Sequence, residues 1–289
     1  MSFTAYLQSK NYSHKTIHGY NRYLKSFLAW MEEEGINVKE ARYADLLLYV
    51  RHMTSSGNSK GYINHQLTVV RHYYNYLIRM RKVKDNIAAN LFIKGVPRRL
   101  PHDILSEADL EEVYNKFPVQ NITGKRNRII LGLIIYQGLN SNDLFRLEPS
   151  HILLKEGKVN VPGSRRSNSR ILELKGNQIL DLQEYLHKTR SLIMEITEKK
   201  SDKMFISIGT GDNFHNSMTK MLKTIFKYAP KVKSVLQLRA SVITHWLSKS
   251  NMREVQYMAG HKYVSSTEKF QQTNLEDLQK DVSTYHPLK

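Results

Sequence analysis

Between Lys94 and Leu105 the chain reads KGVPRRLPHDIL, and two prolines and a glycine leave no helical or strand period in that stretch. Apolar residues at helical spacing occur on both sides of it. A chain interrupted in this way folds as two domains, and 289 residues suffice for both. The expected boundaries are 1–94 for the first domain, 95–104 for the linker and 105–289 for the second.

Before the linker, Leu24, Phe27, Leu28 and Met31 recur at three and four and give one helix an apolar stripe. Ser13, followed by Thr16, is its N-cap signal, and Gly35 closes the segment. Ile63, Leu67, Val70, Tyr74 and Leu77 mark a longer helix whose other side carries Arg71, Arg79, Arg81 and Lys82. That basic side is either a DNA-contacting face or the solvated back of an aromatic core. Beyond the linker, Ser106 opens a helix with Asp109 at the capping-box position. A buried helix is expected from about Arg126 to Gln137. Lys158–Val161 and Ile171–Leu174 read as two strands around the turn GSRRSNS, and from Asn177 onward the pattern is mostly helical. The expected fold class is therefore mainly α with a small β-sheet.

Charge narrows the function. The chain carries 44 Lys and Arg against 26 Asp and Glu, a formal charge of +18. Residues 1–100 hold 16 basic and 6 acidic side chains, so ten of the eighteen net charges fall in about a third of the chain. Such a concentration points to a dedicated surface for a polyanion, with solubility as the plainer explanation. Arg98 and Arg99 in the linker are placed to track a phosphate backbone.

Other chemistry is excluded. No cysteine is present, so disulfides, thiolate zinc sites and cysteine nucleophiles are absent. The longest apolar run, Ile129 to Tyr136 broken by Gly132, is too short to cross a bilayer, and MSFTAYLQSK lacks the marks of a secretory signal. A cytoplasmic, nucleoid-associated protein with no membrane partner is expected. There is no GxxxxGK[ST] loop, Gly209 and Gly211 follow no Rossmann pattern, and no HExxH or carboxylate cluster suggests a metal. A chain of this kind acting on phosphodiesters would do so without metal or cofactor. Arg, Lys and His would then meet the phosphate charge, and a side-chain oxygen would attack.

Three segments could supply that chemistry: YQGLNSNDLFRLEPSHI from Tyr136, LQLRASVITHWL from Leu236 and YMAGHKYVSSTEKFQQ from Tyr257. Together they resemble the tyrosine recombinases, the phage-type integrase family of DNA breaking and rejoining enzymes. The amino-terminal hundred residues resemble, more weakly, that family's helical, SAM-like core-binding domain. The resemblance implies a C-shaped clamp of two domains around double-stranded DNA, a 3′-phosphotyrosyl intermediate, and a dimer to tetramer on DNA.

In that family a Gly-Leu-Arg turn gives a first phosphate-clamping arginine, a β-hairpin gives a lysine, and His-x-x-Arg gives the next pair. Gly-His follows, with the nucleophilic tyrosine nine residues later. Here the resemblance places Arg239 at the second arginine, His261 at the Gly-His histidine and Phe270 at the nucleophile. Asn140 stands at the first arginine, Leu236 at the histidine of His-x-x-Arg, and Ser164 follows Gly163 where the lysine belongs. Phe270 has no oxygen to attack with, so this chain as written is expected not to cleave. Ser265 with Glu268 reads as a capping box that sets Phe270 just inside a new helix. Arg165, Arg166 and Arg170 of the hairpin could each fork onto a phosphate, alongside Arg71, Arg79, Arg98 and Arg99.

Two explanations stand for Phe270: a substitution made to trap a DNA complex, or a naturally degenerate member such as the mobile-element integrases of Bacteroidetes type. The intact GHKYVSSTEKF favours an ancestor with Tyr at 270. Tyr257 and Tyr263 read as core or groove aromatics, and Tyr285 lies in a tail resembling one that packs on a neighbouring protomer. The alternative function is a catalytically inactive, recombinase-like DNA-binding or regulatory protein. A basic scaffold for acidic proteins is the third.

Overall fold

The structure is a computed structural model, and it describes residues 1–95, 103–209 and 214–271. The chain divides into two compact units, Met1–Arg98 and Arg99–Lys289. The described residues are mostly helical with one small sheet.

Among its described residues the first unit holds four helices: α1 (Phe3–Ser9), α2 (His14–Glu33), α3 (Tyr43–Ser55) and α4 (Lys60–Arg79). Ser13 caps α2 by accepting from the Thr16 amide at 3.2 Å, and Gly35 leaves the helix at φ +66°. Leu24, Phe27 and Met31 of α2 are buried with Ile63, Leu67, Val70, Tyr74 and Leu77 of α4. The stripes read from sequence thus face each other, and an aromatic layer of Phe3, Tyr73 and Tyr76 closes one end. Burying such side chains is worth roughly 1.5–3 kcal/mol each, which outweighs the modest helix propensity of so many aromatics.

The second unit begins with α5 (Glu107–Asn115), where Ser106 and Asp109 form the expected capping box. Next come α6 (Ile122–Ile135), α7 (Ser141–Arg146) and an antiparallel sheet of β1 (Ile152–Leu153), β2 (Lys158–Val161) and β3 (Arg170–Glu173). The helices α8 (Gly176–Glu184), α9 (Arg190–Thr197), α10 (Phe214–Phe226), α11 (Val235–Lys249) and α12 (Met252–Ala259) follow, and residues 265–271 form α13. Ile129–Ile135 of α6 is enclosed on all sides, which makes it the central element.

Three differences from the sequence reading have local causes. The strand β1 is only two residues long, so alternation cannot reveal it. Strand β3 starts one residue early, at Arg170, whose side chain is buried inward beside Leu172. Helix α13 begins at Ser265 itself: the Glu268 amide donates to the Val264 carbonyl at 3.0 Å, so Val264, not Ser265, holds the capping position.

Candidate active site

The site is organised by one carboxylate. Asn140 is the N-cap of α7, its side-chain oxygen accepting from the amides of Asn142 at 2.8 Å and Asp143 at 3.0 Å. Asp143 answers by accepting from the Asn140 amide, which fixes its side chain. That carboxylate is fully enclosed, yet three guanidinium groups surround it. Arg146 Nη2 lies 3.0 Å from Oδ1, Arg170 Nη2 lies 2.8 Å from Oδ2, and Arg239 Nη1 lies 4.0 Å from Oδ2. One negative charge against three positive ones leaves a surplus in a place with little water. Such a surplus is costly unless an anion completes it.

Arg239 sits on the second turn of α11, which Ser234 caps by accepting from the Gln237 amide at 3.0 Å. Its Nη1 donates to the Gly138 carbonyl and its Nη2 to the Ala259 carbonyl at 2.7 Å. Two carbonyls, one from the turn after α6 and one from the end of α12, therefore aim the fork. Gly138 has to be glycine: its φ is +57°, and a Cβ would come 2.8 Å from the Trp246 ring. Burial lowers the Arg239 pKa to about 10, with Arg170 adding to the fall and Asp143 opposing it. At neutral pH it stays charged.

His261 follows α12 through Gly260, which ends the helix at φ +68°. A Cβ at Gly260 would meet Arg170 Nη1 at 2.3 Å, so the backbone there is pressed against that guanidinium. The imidazole lies between two partners, Nδ1 at 2.9 Å from Thr267 Oγ1 and Nε2 at 3.3 Å from Arg239 Nη2. Arginine can only donate, so Nε2 accepts and Nδ1 carries the proton toward Thr267. Burial first, then Arg239 and Arg170, push the His261 pKa down to about 4, against Asp143. The imidazole is neutral at pH 7. On it stacks the ring of Phe270, at a centroid distance of 5.9 Å and an interplanar angle of 9°. Phe270 also packs on the small apolar cluster of Ile243, Val255 and Ala259.

The β2–β3 turn is tied to the same place. Ser167 forms an isolated antiparallel bridge with His261, the Asn168 amide donates to the Gly260 carbonyl at 3.1 Å, and Lys262 Nζ donates to the Arg165 carbonyl at 3.3 Å. Arg165 and Arg166 project from this turn, exposed. Four separate stretches of chain thus converge on one basic locus. Among the described residues no three His, Asp or Glu side chains converge as a metal site, and no helix is long and apolar enough to cross a membrane.

Residues 103–276 match the phage integrase family, and residues 1–81 match the N-terminal SAM-like domain of phage integrases. The chain belongs to the phage integrase family. Among its relatives, tyrosine recombinase XerC of Bacillus pumilus is 27% identical over 291 residues, covering 99% of this chain and 95% of that protein. Tyrosine recombinase XerD of Vibrio cholerae is 26% identical, covering 94% and 90%. Two solved structures share the fold of this integrase-family chain. They are the XerH recombinase in a post-cleavage complex with palindromic difH (TM-score 0.76, 18% identity, 96% and 82% covered) and a lambda integrase dimer on a core site (TM-score 0.66, 14% identity, 93% and 92% covered).

Of the residues read from this integrase-family sequence, Arg239, His261 and Phe270 are brought together, and Asn140 lies beside them as the cap of the helix that carries Asp143. Leu236 stands 65% exposed in the first turn of α11, an apolar side chain open to solvent. Arg170 has to be corrected. It is not free for a phosphate: its side chain is fully enclosed, bound to Asp143 and donating from Nε to the Met258 carbonyl at 2.8 Å. Arg71 is partly buried, with its guanidinium donating to the Leu91 carbonyl at 2.9 Å and to Thr68 Oγ1 at 2.8 Å, so it braces its own domain. Arg79 is exposed, 3.5 Å from Ser9 Oγ. Arg98, Arg99 and the tail with Tyr285 lie outside the described residues.

Of the two alternatives for Tyr257 and Tyr263, core or groove aromatics, their exposure of 51% and 70% removes the core one; Tyr257 Oη accepts from the Ile171 amide at 3.0 Å. The sequence reading missed Asp143, Arg146 and Thr267. The first two left a signal, because Asn140-x-x-Asp143 is a capping-box pattern and Asp143-x-x-Arg146 places a cation on the same helical face. A separate basic cavity lined by Arg126, Lys220 and Lys223 includes none of the site residues.

Proposed function

We propose that this chain is a site-specific recombinase or integrase that engages duplex DNA at the Arg239–His261–Phe270 locus, with phenylalanine standing where the attacking tyrosine belongs. The observation that carries the reading is the surplus charge: three guanidiniums on one enclosed carboxylate, beside a neutral imidazole and the ring of residue 270. A phosphodiester anion fits that deficit. Its charge would also favour the imidazolium form of His261, making a second donor available as the phosphate settles.

With tyrosine at 270, the phenolic oxygen would bond to phosphorus while the bond from phosphorus to the 5′-oxygen breaks. The product is a 3′-phosphotyrosyl link and a 5′-hydroxyl that has gained a proton. Attack by another strand's 5′-hydroxyl reverses the step, and no cofactor or nucleotide is needed because the link conserves the bond energy. Arg239 would stabilise the charge growing on the phosphate, a role whose loss costs about a hundredfold to a thousandfold in rate.

In this reading Arg79 of the basic first domain, Arg98 and Arg99 of the linker and the hairpin arginines Arg165 and Arg166 all contact the phosphate backbone of the duplex. Two to four protomers assemble on DNA, in the cytoplasm and on the nucleoid. Substituted positions at Asn140 and Leu236 suit a mobile-element integrase of Bacteroidetes type.

The second reading, a DNA-binding protein without chemistry, is favoured by Phe270 itself. Cleavage separates the two. Phe270→Tyr is expected to yield a covalent adduct, stable to denaturing gel electrophoresis, on a duplex selected from a random-sequence pool by this chain. Tight, salt-sensitive binding without any adduct would leave the second reading standing. Weak binding that Arg239→Ala does not alter would support the acidic-protein scaffold instead.

A further inference from the structure

We propose that Arg146 holds the reacting phosphate in place of the arginine absent at position 140. The inference rests on the reading of this locus as a phosphate site and adds a residue to it. Asn140 cannot serve: its side-chain oxygen is taken by two α7 amides, and it carries no charge. Arg146 closes the same helix. It lies three residues after Asp143, so its side chain shares that face and leans back toward the helix start.

Its guanidinium is part of the site on three counts. Nη2 donates to Asp143 Oδ1 at 3.0 Å, while Arg239 lies 4.0 Å from the other oxygen of that carboxylate, so one anion attracts both guanidiniums. The same Nη2 reaches the Pro162 carbonyl at 3.1 Å and Ser167 Oγ at 3.3 Å, and Ser167 is the residue bridged to His261. Nη2 has two hydrogens for these three acceptors.

The rest of the group is uncommitted. Nε is buried with no partner, and Nη1 has none among the described residues. The side chain is 28% exposed, whereas that of Arg170 is sealed. Of the two arginines paired closely with Asp143, Arg146 is the one a ligand can reach. A phosphate oxygen would accept from Nη1, whose hydrogens have no acceptor among the described residues.

The test uses the full chain and a duplex selected from a random pool by its binding to this chain. With Phe270 kept, Arg146→Ala is expected to lower the slope of log affinity against log salt by about 0.9, the share of one neutralised phosphate, and Arg146→Lys to restore it. An unchanged slope overturns the proposal. In the Phe270→Tyr background, Arg146→Ala should slow adduct formation about a hundredfold to a thousandfold. Replacing the reacting phosphate by a neutral methylphosphonate should remove most of that difference, since the charge that Arg146 meets is then gone. A defect equally large on the methylphosphonate would make Arg146 a brace for α7 and overturn the proposal. Failure of Phe270→Tyr to form any adduct would count against the recombinase reading alone, and the salt slope would still decide Arg146.

Discussion

The guanidinium of Arg239 and the imidazole of His261 meet at 3.3 Å, Nη2 to Nε2, although 22 residues separate them in sequence. The contact fixes a tautomer. Arg239 has no lone pair, so His261 accepts at Nε2 and directs its Nδ1 proton to Thr267 Oγ1, 2.9 Å away. One side chain thereby sets the tautomer of another in the resting protein, before any DNA arrives.

That relationship gives His261 an expected titration. Its folded pKa of about 4 lies below the ordinary value of 6.5, so between those limits the unfolded chain binds more protons than the folded one. Its share of stability is complete above pH 6.5 and is lost as pH falls toward 4. NMR titration of the ring should show the low value in the free protein, a rise toward 6.5 in Arg239→Gln, and a rise on binding DNA. A ring that titrates near 6.5 in the unmodified protein would contradict the contact.

Asp143 is expected to matter more for folding than any arginine around it. Asp143→Asn keeps the shape but leaves Arg170 enclosed without a counter-charge, and breaking a buried pair in this way costs about 3–5 kcal/mol. Urea denaturation should show that loss. A change under ~1 kcal/mol would mean that water already screens the cluster.

Gly260 is held by backbone and space together. Gly260→Ala must adopt φ +68° and bring its Cβ within 2.3 Å of Arg170 Nη1, so strain of about 1–3 kcal/mol or more is expected. A lowered melting temperature with disturbed signals from both His261 and Arg170 would mark the cause. Gly19→Ala, which meets nothing within 4 Å, is the control.

The hairpin arginines should divide by depth. Arg165→Ala with Arg166→Ala is expected to flatten the salt dependence of DNA binding by up to about 0.9 for each phosphate these side chains neutralise, with stability unchanged. Arg170→Ala should do the reverse, lowering stability because it strips Asp143 of its nearest partner. Equal effects on salt slope from all three would restore the sequence reading of Arg170.

The contrast in Arg170 shows where sequence was informative. The stripe of Leu24, Phe27 and Met31, the caps Ser13 and Ser106 and the position of Gly35 are short-range features, and local periodicity reveals them. The convergence of Arg239, His261 and Phe270 was accessible only through the ordered motifs, since no local pattern brings α11, α12 and α13 together. Arg170 looked like a turn residue because the partner that buries it, Asp143, lies 27 residues away. Helix α7 has six residues, too few for a period, so the carboxylate it presents and Arg146 at its end escaped notice.

The most direct measurement is to map the covalent DNA adduct of Phe270→Tyr by mass spectrometry of the digested complex, alone and with Arg239→Ala. The account predicts a phosphotyrosyl nucleotide at position 270, with its yield falling about a hundredfold or more when Arg239 is removed. An adduct at Tyr257 or Tyr263 instead, or one at 270 that forms equally well without Arg239, would contradict it.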